Sequence, residues 1–256
     1  MQNPDFLIEY LLAENERYKI AEIPDSFEEK FKLYRSLVNV REPKQISEEY
    51  LKAEDLFLRS LIKHKGITQL SSLTPVSEGI YLWQGDITTL RCGAIVNAAN
   101  SALLGCFSPC HSCIDNAIHT FAGVRLRLKC AEIMKAQGSP EPTGRSKITP
   151  AYNLPCDYVL HTVGPIVNGA LTPRHEALLK SSYLSCLELA DKNGIESIAF
   201  CCISTGVFGY PPRKAAETAV KTVKEYKQRT NSKIEVIFNV FKDSDKRIYR
   251  ELLEKY

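Results

Sequence analysis

From residue 80 onward, short runs rich in β-branched and aromatic residues take turns with stretches of helical spacing, and few architectures accommodate that alternation. The apolar runs are YLWQ (81–84), AIVNAA (94–99), YVLHTV (158–163), SIAFCCI (197–203) and IEVIFNVF (234–241). Apolar residues recur three and four apart over 115–136, 174–193, 213–229 and 243–254, which predicts helices there. The stretch GSPEPTGRS, residues 138–146, reads as a loop. The expectation is an α/β domain whose mostly parallel or mixed sheet is covered by helices. Neither a repeat nor a low-complexity tract argues for an extended array.

The chain before this region has a different character. Residues 1–72 contain a single glycine, Gly66, and show helical spacing in Phe6/Tyr10, Leu7/Leu11, Phe27/Phe31/Tyr34 and Leu58/Leu61/Ile62. Asp25 with Glu28 forms a capping pair, and Pro24 and Pro43 punctuate the segment, so about three helices are expected. At 256 residues the chain has room for this extension beside a domain of ordinary size. We therefore divide it into a helical extension, 1–72, and an α/β domain, 73–256.

Composition removes several classes of function. Apolar residues make up 44% and charged residues 25%, values of a folded globular protein rather than a disordered one. No stretch reaches the roughly 18 apolar residues of a spanning helix, and acids stand where a secretory signal would carry bases. A cytoplasmic protein that does not engage membranes is expected. The nine cysteines are an odd set without a secretion signal, so reduced thiols and a metal fit better than a disulfide framework. The net charge of +3 is scattered, with no basic block or aromatic stripe, so nucleic acid is not an expected partner.

In an open α/β sheet, ligands collect where strands end and loops meet helix N-termini. After SIAFCCI the chain runs Ser204-Thr205-Gly206-Val207-Phe208-Gly209-Tyr210-Pro211 into a helix. Its glycines permit close backbone approach and its amides can point at a phosphate, although a plain strand-to-helix turn has the same composition. After AIVNAA, Asn97 and Asn100 lead through Gly105 into Cys106, Cys110, His111 and Cys113, then to Asp115, Asn116 and His119. Three thiols and an imidazole within eight residues suit zinc. Cys106, His111 and Cys113 would supply three corners and leave the fourth open, Cys110 would close the site as Cys3His, and buried reduced cysteines without metal are the third possibility.

These loops, with Gly85-Asp86-Ile87-Thr88, the 94–100 run, residues 115–119, His161-Thr162-Val163-Gly164-Pro165 and the 204–211 loop, resemble the macrodomain family in five ordered motifs across 80–254. The segment GCFSPCHSCIDNAIH resembles the zinc-dependent branch of protein-ADP-ribose hydrolases, and the N-terminal helices suit that branch. The resemblance implies a three-layer α/β/α sandwich with a mixed sheet. It also implies one zinc ion per chain on Cys106, His111 and Cys113, with Cys110 not a ligand.

The resemblance further implies a hydrolase that removes mono-ADP-ribose from acidic side chains of modified proteins, acting as a monomer. Asp86, beside Ile87, would accept a hydrogen bond from the adenine amino group. Residues Ser204, Thr205, Gly206, Val207, Phe208, Gly209 and Tyr210 would wrap the diphosphate, with Phe208 against the distal ribose. Phe241 would stack on adenine or else lie in the core. Asn97 and Asn100 would hold the strand end and the distal ribose, Asn116 would touch substrate, and Asp115 would join Asn100 in catalysis or serve as a helix cap. His119 and His161 read as structural. The other function classes are a reader that binds ADP-ribose without cleaving it, and an interaction protein with a structural zinc clip.

Overall fold

The computed structural model describes residues 2–15 and 22–255, so 16–21 of the helical extension lie outside the described residues. Three helices open the chain: α1 (Asp5–Ala13), α2 (Phe27–Val40) and α3 (Glu48–Lys65). The cap of α2 sits one residue later than Asp25/Glu28. Ser26 accepts from the Glu29 N–H at 3.3 Å and donates to the Glu29 carboxylate at 2.7 Å. Ser47 caps α3 in the same way, accepting from the Tyr50 N–H at 3.1 Å.

Strands β1 (Thr68–Gln69) and β4 (Leu90–Arg91) form a small parallel pair. The main sheet holds β2 (Pro75–Ser77), β3 (Ile80–Gln84), β5 (Ala94–Ala98), β6 (Ser146–Pro150), β7 (Tyr158–Thr162), β8 (Ser197–Phe200) and β9 (Glu235–Val240). Their order is β2-β3-β9-β8-β5-β7-β6. The five inner strands run parallel, and the edge strands β2 and β6 run antiparallel to their neighbours. The sheet is mixed, as expected.

The helices between strands are α4 (Ile114–Ala122), α5 (Val124–Gln137), α6 (Pro173–Lys192) and α7 (Pro212–Thr230), and α8 (Asp243–Glu254) follows the last strand. The single helix expected over 115–136 is two. Gly123 breaks it with φ +89°, and a Cβ there would stand 2.5 Å from the Glu54 carboxylate. Ala94, Ile95 and Val96 in β5 and Ile198, Ala199 and Phe200 in β8 are buried on both faces of the sheet. That double coverage is why these strands read as unbroken apolar runs.

Two hydrophobic clusters result. The larger one surrounds the sheet, and the smaller one gathers Leu7, Ile8, Tyr34, Tyr50, Phe57 and Leu58 of the first three helices with Val124 of α5. Phe31 of α2 packs against both. Each fully buried apolar side chain in them contributes about 1.5–3 kcal/mol. No helix among the described residues is long and apolar enough to cross a membrane.

Candidate active site

Strand β5 pairs with β7 on one side and β8 on the other, so the chain leaving its carboxyl end borders the crevice where strand order reverses. The loop after β8 lines the same end. It is folded tightly on itself: Thr205 gives both its N–H and its hydroxyl to the Cys202 carbonyl, and the Gly209 and Tyr210 amides bond Gly206 and Ser204 carbonyls. Ser204 holds φ +66°. The N–H groups of Gly206, Val207 and Phe208 meet no acceptor among the described residues. Such a run of free amides ahead of the α7 N-terminus suits an anion. Val207 is 79% exposed. Tyr210, expected to touch ligand, is buried in the core instead and anchors the end of the loop.

At the neighbouring strand ends, Gly85 donates to the Val240 carbonyl at 3.1 Å, which brings Asp86 and Phe241 to one rim. Phe241 is 76% exposed, so the core alternative for it does not hold. Asp86 caps a short 3-10 turn by accepting from the Thr88 N–H at 3.0 Å and the Thr88 hydroxyl at 2.6 Å, and its second oxygen pairs with Lys65 from the end of α3. Burial raises its pKa, but the Lys65 ammonium and Thr88 outweigh it and hold the carboxyl below its usual range. Ile87, expected beside the ligand, is buried in the core.

Asp115 lies in the first turn of α4, yet it is not the cap. Cys113 is, its sulfur accepting from the Asn116 N–H at 3.4 Å. The Asp115 carboxylate is buried and held on both oxygens, by Asn97 at 2.8 Å and Asn100 at 3.5 Å. Burial pushes its carboxyl up to about 6, against the Asn97 hydrogen bond and the Arg127 charge. Asn97, expected to hold the strand end and the distal ribose, is fully buried and also meets His161 Nδ1 at 3.2 Å, so its amide is shared between Asp115 and His161. Asn100 also donates to the Gly105 carbonyl at 3.0 Å and accepts from the Ala102 N–H, which fixes the strand-end turn. His161 Nε2 lies 3.0 Å from the Thr149 hydroxyl, and burial lowers its pKa to about 4, so it is a neutral, satisfied core histidine. His119 is likewise held neutral by burial.

One ligand atom from each of Cys106, His111 and Cys113 lies within 4.8 Å of the others. Tetrahedral zinc would need separations of about 3.5–3.8 Å, so a small contraction suffices. Two further observations fit a metal. The His111 Nδ1 is buried and unpartnered, and Cys113 sits at a helix N-terminus that favours its thiolate. Without an ion, burial pushes the Cys113 thiol up to about 11. Cys110 turns away, its sulfur 3.2 Å from the Ser36 hydroxyl and 3.4 Å from the Lys32 carbonyl on α2. Asn116, expected at the substrate, is fully buried: Arg35 takes its oxygen and its amide donates to the Ser108 carbonyl.

Residues 96–219 match the Macro domain family. The chain is 57% identical to a protein-ADP-ribose hydrolase of Treponema medium, over 97% of each chain. It is 48% identical to a protein-ADP-ribose hydrolase of Staphylococcus aureus (strain Mu50), over 98% of this chain and 95% of the relative. This chain belongs to the protein-ADP-ribose hydrolase family of macrodomains. The structure of the Trypanosoma brucei macrodomain in complex with ADP-ribose superposes with a TM-score of 0.66 at 29% identity, covering 86% of this chain and 94% of the other.

In this macrodomain the structure brings Asn100, Asp115, Cys106, His111 and Cys113 together, while Asp86 and Phe241 share the far rim with the 204–210 loop beside them. Sequence reading missed Lys65 on Asp86 and Arg35 and Asn39 against the cysteine loop. Their contacts span roughly 20 to 80 residues of chain, and nothing local in a helix surface residue announces such a partner.

Proposed function

We propose that this macrodomain removes mono-ADP-ribose from aspartate and glutamate side chains of modified proteins, with one zinc ion held by Cys106, His111 and Cys113. The observation that carries this reading is a buried carboxylate, Asp115, oriented by two asparagines and two residues beyond Cys113 of the cysteine–histidine triad. The names of its relatives and the ADP-ribose bound by a structural neighbour support the ligand.

The bond to be cleaved joins the distal ribose C1 to a carboxylate. A carboxylate leaves with a solution pKa near 4, so little proton donation to it is needed. When bound, zinc supplies a Lewis acid that polarises an oxygen of the distal ribose or of water. Asp115 holds an incoming water and accepts its proton, with Asn97 and Asn100 fixing the carboxylate in place. The free amides at 206–208 hold the diphosphate, Asp86 takes the adenine amino group by displacing or sharing Lys65, and Phe241 covers the base.

The test is release of ADP-ribose from acceptors carrying a defined aspartate, glutamate or serine linkage, before and after metal removal. Fast release from the acidic linkages that disappears without metal is expected. Equal rates on serine-linked material sink the linkage assignment, and full activity of the metal-free protein sinks the role of zinc.

A further inference from the structure

Helix α2 belongs to the extension, yet one of its faces is spent on the cysteine loop. Lys32, Arg35, Ser36 and Asn39 are spaced three and four apart and share that face. Arg35 donates to the His111 carbonyl at 2.8 Å and, through Nε and Nη2, to Asn116 Oδ1 at 3.0 and 2.7 Å. Asn39 accepts from the Cys110 N–H at 2.9 Å and donates to the Thr120 hydroxyl at 3.0 Å. Cys110 holds φ +52°, a conformation that a non-glycine residue keeps only when its surroundings fix it. The Ser36 hydroxyl and Lys32 carbonyl meet its sulfur from the same helix.

These contacts bear directly on two of the three ligand residues. Asn39 takes the Cys110 N–H, in the peptide one residue before the one that leads into His111, and Arg35 takes the His111 carbonyl, so the backbone is held on either side of the residue and the direction of its imidazole is limited. Asn116, locked by Arg35, gives its backbone N–H to the Cys113 sulfur and its side-chain amide to the Ser108 carbonyl. Among the described residues no carboxylate pairs with Arg35, and its guanidinium hydrogen bonds there go to the His111 carbonyl and Asn116 Oδ1. Tyr34, Leu37 and Val38 build the apolar cluster from the rest of α2, while Arg35 is only half-buried.

We propose that α2 is the outer wall of the metal site, and that Arg35 and Asn39 are positioning residues that shape the loop for the metal. The inference rests on the reading that Cys106, His111 and Cys113 hold zinc. Groups that orient metal ligands from behind typically change affinity by about 10- to 100-fold when removed.

The experiment titrates metal-stripped full-length protein with Co(II), whose thiolate ligation gives charge-transfer and visible bands, in competition with a chelator. Arg35→Ala and Asn39→Ala are each expected to weaken Co(II) binding about 10-fold or more and to alter the bands, while ADP-ribose affinity by calorimetry stays unchanged. Added guanidinium should restore part of the Co(II) affinity of Arg35→Ala, and Arg35→Lys should lie between it and wild type. Wild-type Co(II) affinity and bands in both alanine variants would overturn the role of α2 and leave the zinc reading standing. Parallel losses of Co(II) and ADP-ribose affinity would also overturn it, since the substitutions would then merely loosen the fold. If wild type itself binds no Co(II) through thiolate, both the inference and the zinc reading fall.

Discussion

Asp115 shows how little a residue's sequence position says about its role. Two residues into a helix it has the place of an ordinary first-turn acid, but Cys113 already caps α4 and the carboxylate turns inward to Asn97 and Asn100. Asp115→Asn keeps the volume and one accepting oxygen for Asn97, gives up the weaker contact to Asn100, and removes the acceptor for a proton. It should lower single-turnover release from an aspartate-linked acceptor by about 10²- to 10⁴-fold with ADP-ribose affinity nearly unchanged; a normal rate would remove Asp115 from the chemistry. Asp86→Ala should behave oppositely, weakening ADP-ribose binding in calorimetry by about 1–3 kcal/mol, since a hydrogen-bonded carboxylate is lost. Residues recognisable by chemical type, such as Asp86, Cys106, His111 and Cys113, were legible in the sequence as candidates. The burial of Asn97, Asn116 and Tyr210 was not legible, because which face of a side chain is covered depends on partners far along the chain, Arg35 and His161 among them.

Elements meet through buried polar contacts as well as apolar ones. The Glu54 side chain from α3 is fully buried, accepts from the Tyr34 hydroxyl at 2.8 Å and the Tyr50 hydroxyl at 3.4 Å, and caps α5 by accepting the Val124 N–H at 3.0 Å. Burial raises its carboxyl to about 7, against the pull of Tyr34 and Val124. The folded pKa exceeds the ordinary value of 4.5, so the folded state holds this proton more tightly. The stabilisation is complete below pH 4.5 and is lost as pH rises through 7. Between pH 5 and 8 wild type should lose about 2.5 kcal/mol relative to Glu54→Gln, measured by urea unfolding at each pH. Buried neutral His119 and His161 act with the opposite sign as pH falls, but they are common to both proteins and cancel in the difference. A difference that does not change with pH would show Glu54 to be ionised throughout. Helix existence was legible from spacing, including the three in the extension. The break at Gly123 was not, because apolar spacing continues across it, and the edge strand β6 (Ser146–Pro150) was hidden in a polar, proline-ended stretch beside an expected loop.

At the scale of the molecule, the question is whether the helices before residue 73 and the α/β domain after it are held as one body. Their apolar clusters are distinct, but cross-ties are numerous and mostly shielded. Arg127 of α5 donates to the Val38 carbonyl at 2.9 Å and the Arg41 carbonyl at 2.5 Å, at the end of α2, and to the Leu104 carbonyl at 2.6 Å in the loop before Cys106. Arg59 donates to Asn153 at 3.1 Å, Asp55 pairs with Arg125, and Lys65 pairs with Asp86. Separating the two parts would strip Arg127 of the Val38 and Arg41 carbonyls and Glu54 of the Val124 N–H, and a buried charged group that loses its partners costs several kcal/mol. Loss of the extension should therefore coincide with loss of the sheet. The sequence supplies its own probe, since the single tryptophan, Trp83, lies in β3 of the main sheet while α1, α2 and α3 carry a sizeable share of the helix signal. In urea, Trp83 fluorescence and far-ultraviolet circular dichroism should trace one coincident transition, and saturating ADP-ribose should move both midpoints upward together. Arg127→Met, which keeps the volume and removes the donors, should pull the two curves apart, with the helical signal fading first. Separate transitions already in wild type would mean that the extension folds independently and that its contacts to the cysteine loop form only after the domain is made.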